Sequence, residues 1–395
     1  MSQLPQELIE AIVEEVEGHS NLTACSLVAR AFLRPSQSRL FRTKSLRSGA
    51  YFAFDQALEV LNRYPHLAVH LRDLTIDIPN SQSAQAALGA VLRLLPNVER
   101  LAVNGNALAW NGLGVLPALA AAILAVISLP SLERLHLLRI HPPSSVLLHA
   151  ASSVRVLSLD RVVLFGGRDP DIPSHSCSNA RLEYLILPHC LATPALLREC
   201  DFLLDVRHLQ RLAVHVQPSP WDYHRTLIVS SSNHLRHLEL DCGDLSFTLN
   251  LPPLPVLQTM TLILARSKDD DGYWVLPSGL ALTVAALAVA ASRLEALTFT
   301  VLIPILKIQA PWRHTALPVF DTHDYRDQFP LLRTVHCCVG CVDQYATIQD
   351  LYFEVALKRV IRLMEQTLPA PHADGILTFG RSVQRSRLNY MAHLP

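Results

Sequence analysis

Apolar residues follow one repeated pattern over most of this chain, Leu-x-x-Leu-x-Leu with conservative replacements. Ten copies occur between residues 67 and 342, and their first positions lie 22 to 38 residues apart. The copies begin at Leu71, Val98, Leu132, Val154, Leu182, Leu209, Leu235, Leu257, Leu294 and Leu332. Apolar residues at the fourth and sixth positions predict a short strand with one buried face. One such unit cannot bury that face alone, so we expect the copies to stack.

The segments between the copies predict how the chain returns from one strand to the next. Helical patterns cover residues 82–95, 117–128 and 280–292, and the other return segments look irregular. The spacing of the middle copies resembles that of leucine-rich repeats. The predicted fold class is therefore α/β, an irregular leucine-rich-repeat solenoid of parallel strands with helical or irregular return segments. A long loop is expected at 303–329, a C-terminal capping helix at 343–368 and a flexible tail at 369–395.

Residues 1–46 have a different pattern, which predicts three short helices, and a linker helix follows within 47–66. The segment opens with Leu4-Pro5, continues through an amphipathic stretch to Cys25-Ser26-Leu27-Val28, and closes on Leu40-Phe41. This order of residues resembles the F-box, in the form common in fungal F-box proteins. Three helices of this size bury too little surface to be robust alone, so we expect them to find a partner or the next domain.

The F-box resemblance implies that the three helices pack on a Skp-family adaptor of a cullin–RING ubiquitin ligase. It implies no catalytic residue in this chain. The residues that it places at or beneath the adaptor interface are Leu4, Pro5, Leu8, Ile12, Leu22, Cys25, Leu27, Val28 and Phe41. The sequence does not separate those that touch the adaptor from those that hold the helices together.

The repeat array would then bind an unknown protein substrate through the residues that alternate with the buried ones. The candidates are Arg100, Arg134, His136, Tyr184, Arg211, His215, His237 and Glu239. Arginine binds carboxylates and phosphates through paired hydrogen bonds, which favours an acidic or phosphorylated ligand. The alternative interpretation is a solvated sheet face of mixed polarity.

Composition excludes several other functions. The chain of 395 residues has 34 basic and 34 acidic residues, so no net charge favours nucleic acid. The eight cysteines are scattered and form no disulfide pattern, and the acidic N-terminus is unlike a signal peptide. Two uncharged runs, 116–129 and 280–291, are interpreted as buried repeat helices because they are too short to span a membrane. The expected location is cytoplasmic or nuclear.

No local motif indicates catalysis, a cofactor or a metal. Phosphate-binding loops, nucleophile elbows and zinc-protease motifs are absent from the sequence. The group His336-Cys337-Cys338 with Cys341 lacks a second ligand pair, and Cys337 falls at an inward strand position. The sequence thus predicts a substrate-recognition subunit of an SCF-type (Skp–cullin–F-box) ubiquitin ligase. The alternatives are a non-degradative scaffold that uses the same face, or a membrane-associated leucine-repeat receptor.

Overall fold

The computed structural model describes residues 4–47, 53–109, 114–163, 182–188, 206–216, 221–242, 249–265, 267–268, 274–277, 279–303, 317–321, 325–341 and 349–381. They belong to two units, one that runs from Met1 to Leu182 and one that begins at Glu183. Both units consist of parallel strands that lie side by side in chain order, joined by helices or irregular segments. The α/β class and the parallel strand array are therefore confirmed.

The first unit opens with three helices and continues as five strands. In chain order its elements are α1 (Gln6–Glu14), α2 (His19–Val28), α3 (Arg30–Arg42), β1 (Thr43–Leu46), α4 (Ala53–Arg63), a 3-10 helix (Pro65–His70), β2 (Asp73–Asp77), α5 (Gln82–Arg93), β3 (Arg100–Ala109), α6 (Pro117–Ile127), β4 (Arg134–His141), α7 (Ser144–Ser153) and β5 (Val156–Asp160). Strand β1 was not predicted. It pairs parallel with β2 and so ties the helical segment to the first repeat strand.

Helix α3 is the element on which both other N-terminal helices pack. Ile9 and Val13 of α1 and Leu22 of α2 are buried and form the interior of this helical segment. The Arg39 guanidinium, on α3, donates hydrogen bonds to the backbone carbonyls of Val13, Glu14 and Val16, the last at 2.9 Å. A cation at this end of a helix satisfies carbonyls that lack intrahelical partners and complements the helix dipole.

The strands of the first unit align the repeat copies residue by residue. Leu74 of β2 pairs with Leu101 of β3, which pairs with Leu135 of β4, and that residue pairs with Leu157 of β5. All four are at most 2 % exposed and form one inward row of the core. Helix α6, within the uncharged run 116–129, buries Leu119, Ile123 and Val126, as predicted. Among the described helices, none combines the length and apolar composition needed to cross a membrane.

The second unit repeats the arrangement with seven parallel strands. In chain order its elements are β6 (Tyr184–Leu187), β7 (Arg211–His215), α8 (Trp221–Ser231), β8 (His237–Asp241), β9 (Thr259–Ala265), β10 (Ser267–Lys268), β11 (Trp274–Val275), α9 (Leu280–Ala290), β12 (Ala296–Ile303), a 3-10 helix (Pro318–Phe320), α10 (Tyr325–Gln328), β13 (Thr334–Cys341), α11 (Gln349–Thr367), α12 (Pro369–Ala373) and β14 (Leu377–Arg381). Strands β10 and β11 form a separate antiparallel pair.

The C-terminal part of the second unit differs from the sequence prediction in two ways. Residues 369–381, expected as the start of a flexible tail, form α12 and β14, and β14 pairs parallel with β13. Helix α11, within the predicted capping helix 343–368, is therefore a return segment between two strands. The rest of the predicted tail, 382–395, lies outside the described residues.

The predicted loop 303–329 ends in packed structure instead of remaining open. Phe320, Tyr325 and Phe329 are fully buried, and the rings of Phe320 and Phe329 stack with centroids 5.9 Å apart. The Tyr325 hydroxyl donates to the Asp374 carboxylate at 2.5 Å, and Arg326 forms an ion pair with the same carboxylate at 2.8 Å. Residues 304–316 and 322–324 of this loop lie outside the described part of the chain.

The Arg39 contacts predict a local loss of stability in α1 when the guanidinium is removed. Arg39→Ala leaves the carbonyls at the end of α1 without their charged donor, which costs about 2 kcal/mol for hydrogen bonds of this type. Amide hydrogen exchange in Gln6–Glu14 should then become roughly 30-fold faster. Arg42→Ala, at an exposed position of the same helix α3, is the matched control and should leave that exchange unchanged. Equal exchange in the two variants would contradict this role of Arg39.

Candidate interaction surfaces

The helical segment exposes an unusual amount of apolar surface. Among the described residues, the first 33 positions contain six exposed large apolar side chains, Leu4, Leu8, Ile12, Leu27, Val28 and Leu33. Leu27 and Val28, at the C-terminal end of α2, are 82 % and 70 % exposed. A short segment with this many exposed leucine, isoleucine and valine residues is typical of a binding surface. We call these six residues the apolar head residues.

The structure sorts the nine residues that the sequence placed at or beneath an adaptor interface. Six of the nine are exposed: Leu4, Pro5, Leu8, Ile12, Leu27 and Val28. Leu22 is buried and contributes to the interior of the segment, while Cys25 and Phe41 are half-buried. The ammonium of Lys44, on β1, lies 4.7 Å from the Phe41 ring centroid, a contact of cation–π type. Leu33, which is 38 % exposed, was not among the predicted residues.

Helix α1 has one apolar stripe in the sequence, and the structure buries only part of it. Leu8, Ile9, Ile12 and Val13 all fit an apolar stripe of helical period. In the structure Ile9 and Val13 are at most 3 % exposed, whereas Leu8 and Ile12 are 52 % and 45 % exposed. The helix therefore packs on the rest of the protein through Ile9 and Val13, and the adjacent row, Leu8 and Ile12, faces solvent.

The second candidate surface is the outward side of the strands, described here first for the first unit. Strand pairing places Thr43, Asp73, Arg100 and Arg134 next to one another in one outward row. Arg100 lies 3.5 Å from the Asp73 carboxylate. Partial burial and the neighbouring charge of Arg100 hold the pKa of Arg134 below its ordinary value. Two adjacent guanidinium groups thus give this row a local excess of positive charge.

His136 is not exposed on this face, contrary to the sequence prediction. It is 4 % exposed, and its Nδ1 lies 2.7 Å from the Ser158 hydroxyl on the next strand. Ser158, Leu138 and Asp160 are also buried, so the outward side of β4 and β5 is covered beyond its first positions, Arg134 and Val156, which are half-buried. Burial lowers the pKa of His136 to about 4 because a buried imidazolium loses its hydration. His136 is therefore buried and paired with Ser158 instead of exposed for a ligand.

In the second unit the structure brings four of the predicted residues together. Tyr184, Arg211 and His237 occupy one row on adjacent strands, β6, β7 and β8, and Glu239 lies two residues beyond His237. Burial and the Glu239 carboxylate raise the pKa of the Tyr184 hydroxyl, which therefore stays protonated. His237 Nδ1 lies 2.5 Å from the Thr259 hydroxyl, and burial and the nearby arginines Arg211 and Arg236 lower its pKa. This row offers hydrogen-bond donors from three different side chains.

His215 occupies a different row, at the end of β7. Its Nδ1 lies 3.1 Å from the Asp241 carboxylate on β8, and both side chains are less than one quarter exposed. His224 of α8 is buried beside it, and burial and the charge of His215 lower the pKa of His224 to about 4. Because His215 is paired with a carboxylate, it is less suited to bind an acidic group than Arg211.

The arrangement supports recognition by polar and charged contacts. Guanidinium groups such as those of the half-buried Arg134 and Arg211 bind carboxylate or phosphate groups through two parallel hydrogen bonds, whereas Arg100 already has the Asp73 carboxylate beside it. No group of three or more His, Cys, Asp or Glu residues suited to a metal ion occurs within the described ranges. Cys337, predicted to face inward, is fully buried, and burial raises the pKa of its thiol.

Comparison with known proteins assigns neither surface a function. No protein-family model matches this chain, and no curated protein matches it. The two surfaces therefore have to be interpreted from their own chemistry.

The burial of His136 predicts a loss of stability in mild acid. The unfolded chain binds a proton at the ordinary imidazole pKa of 6.5, whereas the folded chain binds it only near 4. Stability therefore falls as the pH drops through this window, by about 2 kcal/mol between pH 7 and pH 5 for one such histidine. In His136→Gln, the free energy of unfolding measured by chemical denaturation should fall less between pH 7 and pH 5, by that amount. Between pH 7 and pH 9 the two proteins should show the same slope, and equal slopes below pH 7 would refute the assignment.

Proposed function

We propose that this protein is the substrate-recognition subunit of an SCF-type ubiquitin ligase. In this proposal the apolar head residues dock on a Skp-family adaptor, and the outward strand face holds a target protein. The observation that carries it is the exposure of six large apolar side chains on a segment whose sequence resembles an F-box. The nearest alternative is a scaffold that binds the adaptor without serving degradation.

Adaptor docking is supported by the physical character of the exposed residues. Exposed leucine, isoleucine and valine gain free energy when a partner covers them, about 25 cal/mol per Å² of apolar surface. The interior of the segment does not need them, because Ile9, Val13 and Leu22 already fill it. A partner can therefore cover Leu8, Ile12, Leu27 and Val28 without unfolding the N-terminal segment.

Target binding is supported by the mixed polar rows of the strand face. Arg100 and Arg134 in the first unit, and Tyr184 and Arg211 in the second, are half-buried side chains on rigid strands. Strands hold such groups in fixed positions, which lowers the entropic cost of binding. The excess of arginine favours a target with acidic or phosphorylated residues.

The proposed mechanism requires no reactive side chain in this chain. The adaptor connects the helical segment to a cullin, and a separate enzyme on the cullin transfers ubiquitin to the bound target. Holding the target near that enzyme converts a bimolecular step into an effectively unimolecular one. Burial of His136 and His224 and the pairing of His215 with Asp241 give these histidines structural roles.

The docking proposal predicts that a single charge among the apolar head residues abolishes adaptor binding. Leu27→Asp and Leu8→Asp each place a carboxylate where apolar surface would be buried, and the loss should be about 30-fold or more. Both side chains are exposed, so the variants should fold and melt like the parent protein. Binding of the purified Skp-family adaptor by titration calorimetry measures the effect.

The matched control for this experiment is Val289→Asp. Val289, on α9 of the second unit, is 90 % exposed and has the same chemical character as the apolar head residues. Adaptor affinity should not change in this variant. Unaltered adaptor binding in Leu27→Asp and Leu8→Asp would refute the proposed docking surface. Co-purification of the adaptor without a cullin would favour the scaffold over the ligase subunit.

The target-binding part of the proposal predicts that charge reversal on the strand face removes the targets. Arg100→Glu, Arg134→Glu and Arg211→Glu together invert the charge offered to an acidic ligand, and repulsion should reduce target capture about tenfold or more. Proximity labelling with and without proteasome inhibition measures the captured proteins. Adaptor binding should persist in the triple variant and serves as the folding control. An unchanged set of captured proteins would contradict the assignment of this face.

A further inference from the structure

A polar pocket lies on the second unit, at the turns that precede the strands. Its volume is about 420 Å³, and four successive turns contribute to it. We call the residues immediately before and after the first apolar residue of each repeat copy the turn edge. His208, His234 and Arg293 line the pocket from the position before, and Gln210, Arg236 and Gln258 line it from the position after.

Three backbone carbonyls at this place are already occupied. The Gln210 carbonyl accepts hydrogen bonds from the Arg236 and His237 amides, at 2.9 and 3.0 Å. The carbonyls of Arg236 and Gln258 are each occupied in the same way by two amides of the following copy. A carbonyl oxygen has two lone pairs, so these three are saturated. The side chains of arginine, histidine and glutamine then determine the chemistry of the pocket, and most of what they offer is N–H donors.

No carboxylate lines the pocket, and its arginines are not neutralised from within. The lining includes two arginines and two histidines and no Asp or Glu. Within the described part of the chain, neither Arg236 nor Arg293 has a side-chain hydrogen bond or ion pair with another residue. The rings of His208 and His234 meet edge to face, with centroids 5.1 Å apart.

The first unit carries a different charge pattern at the same positions. There the residues after the first apolar position include Glu99 and Glu133, and the Arg72 guanidinium lies 3.2 Å from the Glu99 carboxylate. In the second unit glutamine takes this position on both sides of Arg236, at Gln210 and Gln258. Glutamine keeps the length of glutamate but removes its charge and adds donors. The second unit also has glutamates at this position, Glu183 and Glu295, but the two copies on either side of Arg236 lack the carboxylate.

We propose that this pocket binds a phosphate group. A phosphate has more acceptor oxygens than a carboxylate and can satisfy donors that converge from four turns, and arginine suits its geometry. A volume of about 420 Å³ is in the range of small-ligand sites, so the pocket can hold the phosphate with part of the molecule that carries it. The phosphate can be free or can belong to a phosphorylated side chain of a protein, and both sources share this chemistry. The site does not depend on the proposed ligase function.

The test titrates the full-length protein with inorganic phosphate, and in a second arm with a short phosphoserine peptide and its unphosphorylated form. Saturable binding is expected for phosphate or the phosphopeptide and not for the unphosphorylated peptide. Arg236→Gln should weaken it about tenfold or more, as expected for loss of a charged hydrogen-bond donor. Gln258→Glu should weaken it to a similar degree, because it restores the carboxylate found at Glu99, Glu133 and Glu295.

Arg72→Gln, at the turn edge of the first unit, is the matched control and should bind the probes like the parent protein. If Arg236→Gln melts at a lower temperature, its loss of binding could reflect unfolding. Gln258→Glu still tests the pocket in that case, because other copies fold with glutamate at this position. Tighter binding of the phosphopeptide than of inorganic phosphate would identify a phosphorylated protein as the source. The proposal is overturned if neither probe saturates, if both pocket variants bind like the parent, or if Arg72→Gln loses as much affinity.

Discussion

The constraint on which the structure depends is a backbone hydrogen-bond ladder that joins each repeat copy to the next. In the first unit the Arg72 carbonyl accepts from the amides of Glu99 and Arg100, and in the second the Gln210 carbonyl accepts from Arg236 and His237. Two bonds to one oxygen fix the register of neighbouring strands with no freedom to slip. Equivalent side chains of successive copies must then form rows. Buried rows become the core, and the outward and turn-edge rows become surfaces whose chemistry the sequence can vary without changing the fold.

The N-terminal helices obey a different constraint, because they lie outside the repeat pattern. Their interior is small, and it consists of a few buried residues of α1 and α2, which both pack on α3. Arg39 offsets this shortage by satisfying backbone carbonyls of α1 from outside the helix. Burying Leu8, Ile12, Leu27 and Val28 would require another layer of structure, which the segment itself lacks. Their exposure is therefore a consequence of a helical unit that is too small to cover both of its apolar rows.

Local periodicity was sufficient to predict the repeat strands, their inward rows and the helices α5, α6 and α9. What it could not predict depends on contacts between residues far apart in sequence. Strands β1 and β14 lack the full leucine pattern and form because a parallel neighbour is already in place. The period-two pattern put His136 on the outward side, but whether that side is open depends on what covers β4 and β5. Leu8 and Ile9 look equivalent in the sequence, and only the position of α3 separates the exposed residue from the buried one.

The turn-edge rows show most clearly where binding chemistry can arise in such an array. The same backbone hydrogen-bond pattern recurs in both units, with different polar side chains beside it. Glu99 beside Arg72 makes a neutral pair that competes with any external anion. Gln210 and Gln258 beside Arg236 provide no such competitor, so the donors of this guanidinium remain available to a ligand. A glutamine in place of a glutamate removes the ion-pair partner of the neighbouring arginine and leaves the donors of that arginine to the proposed phosphate.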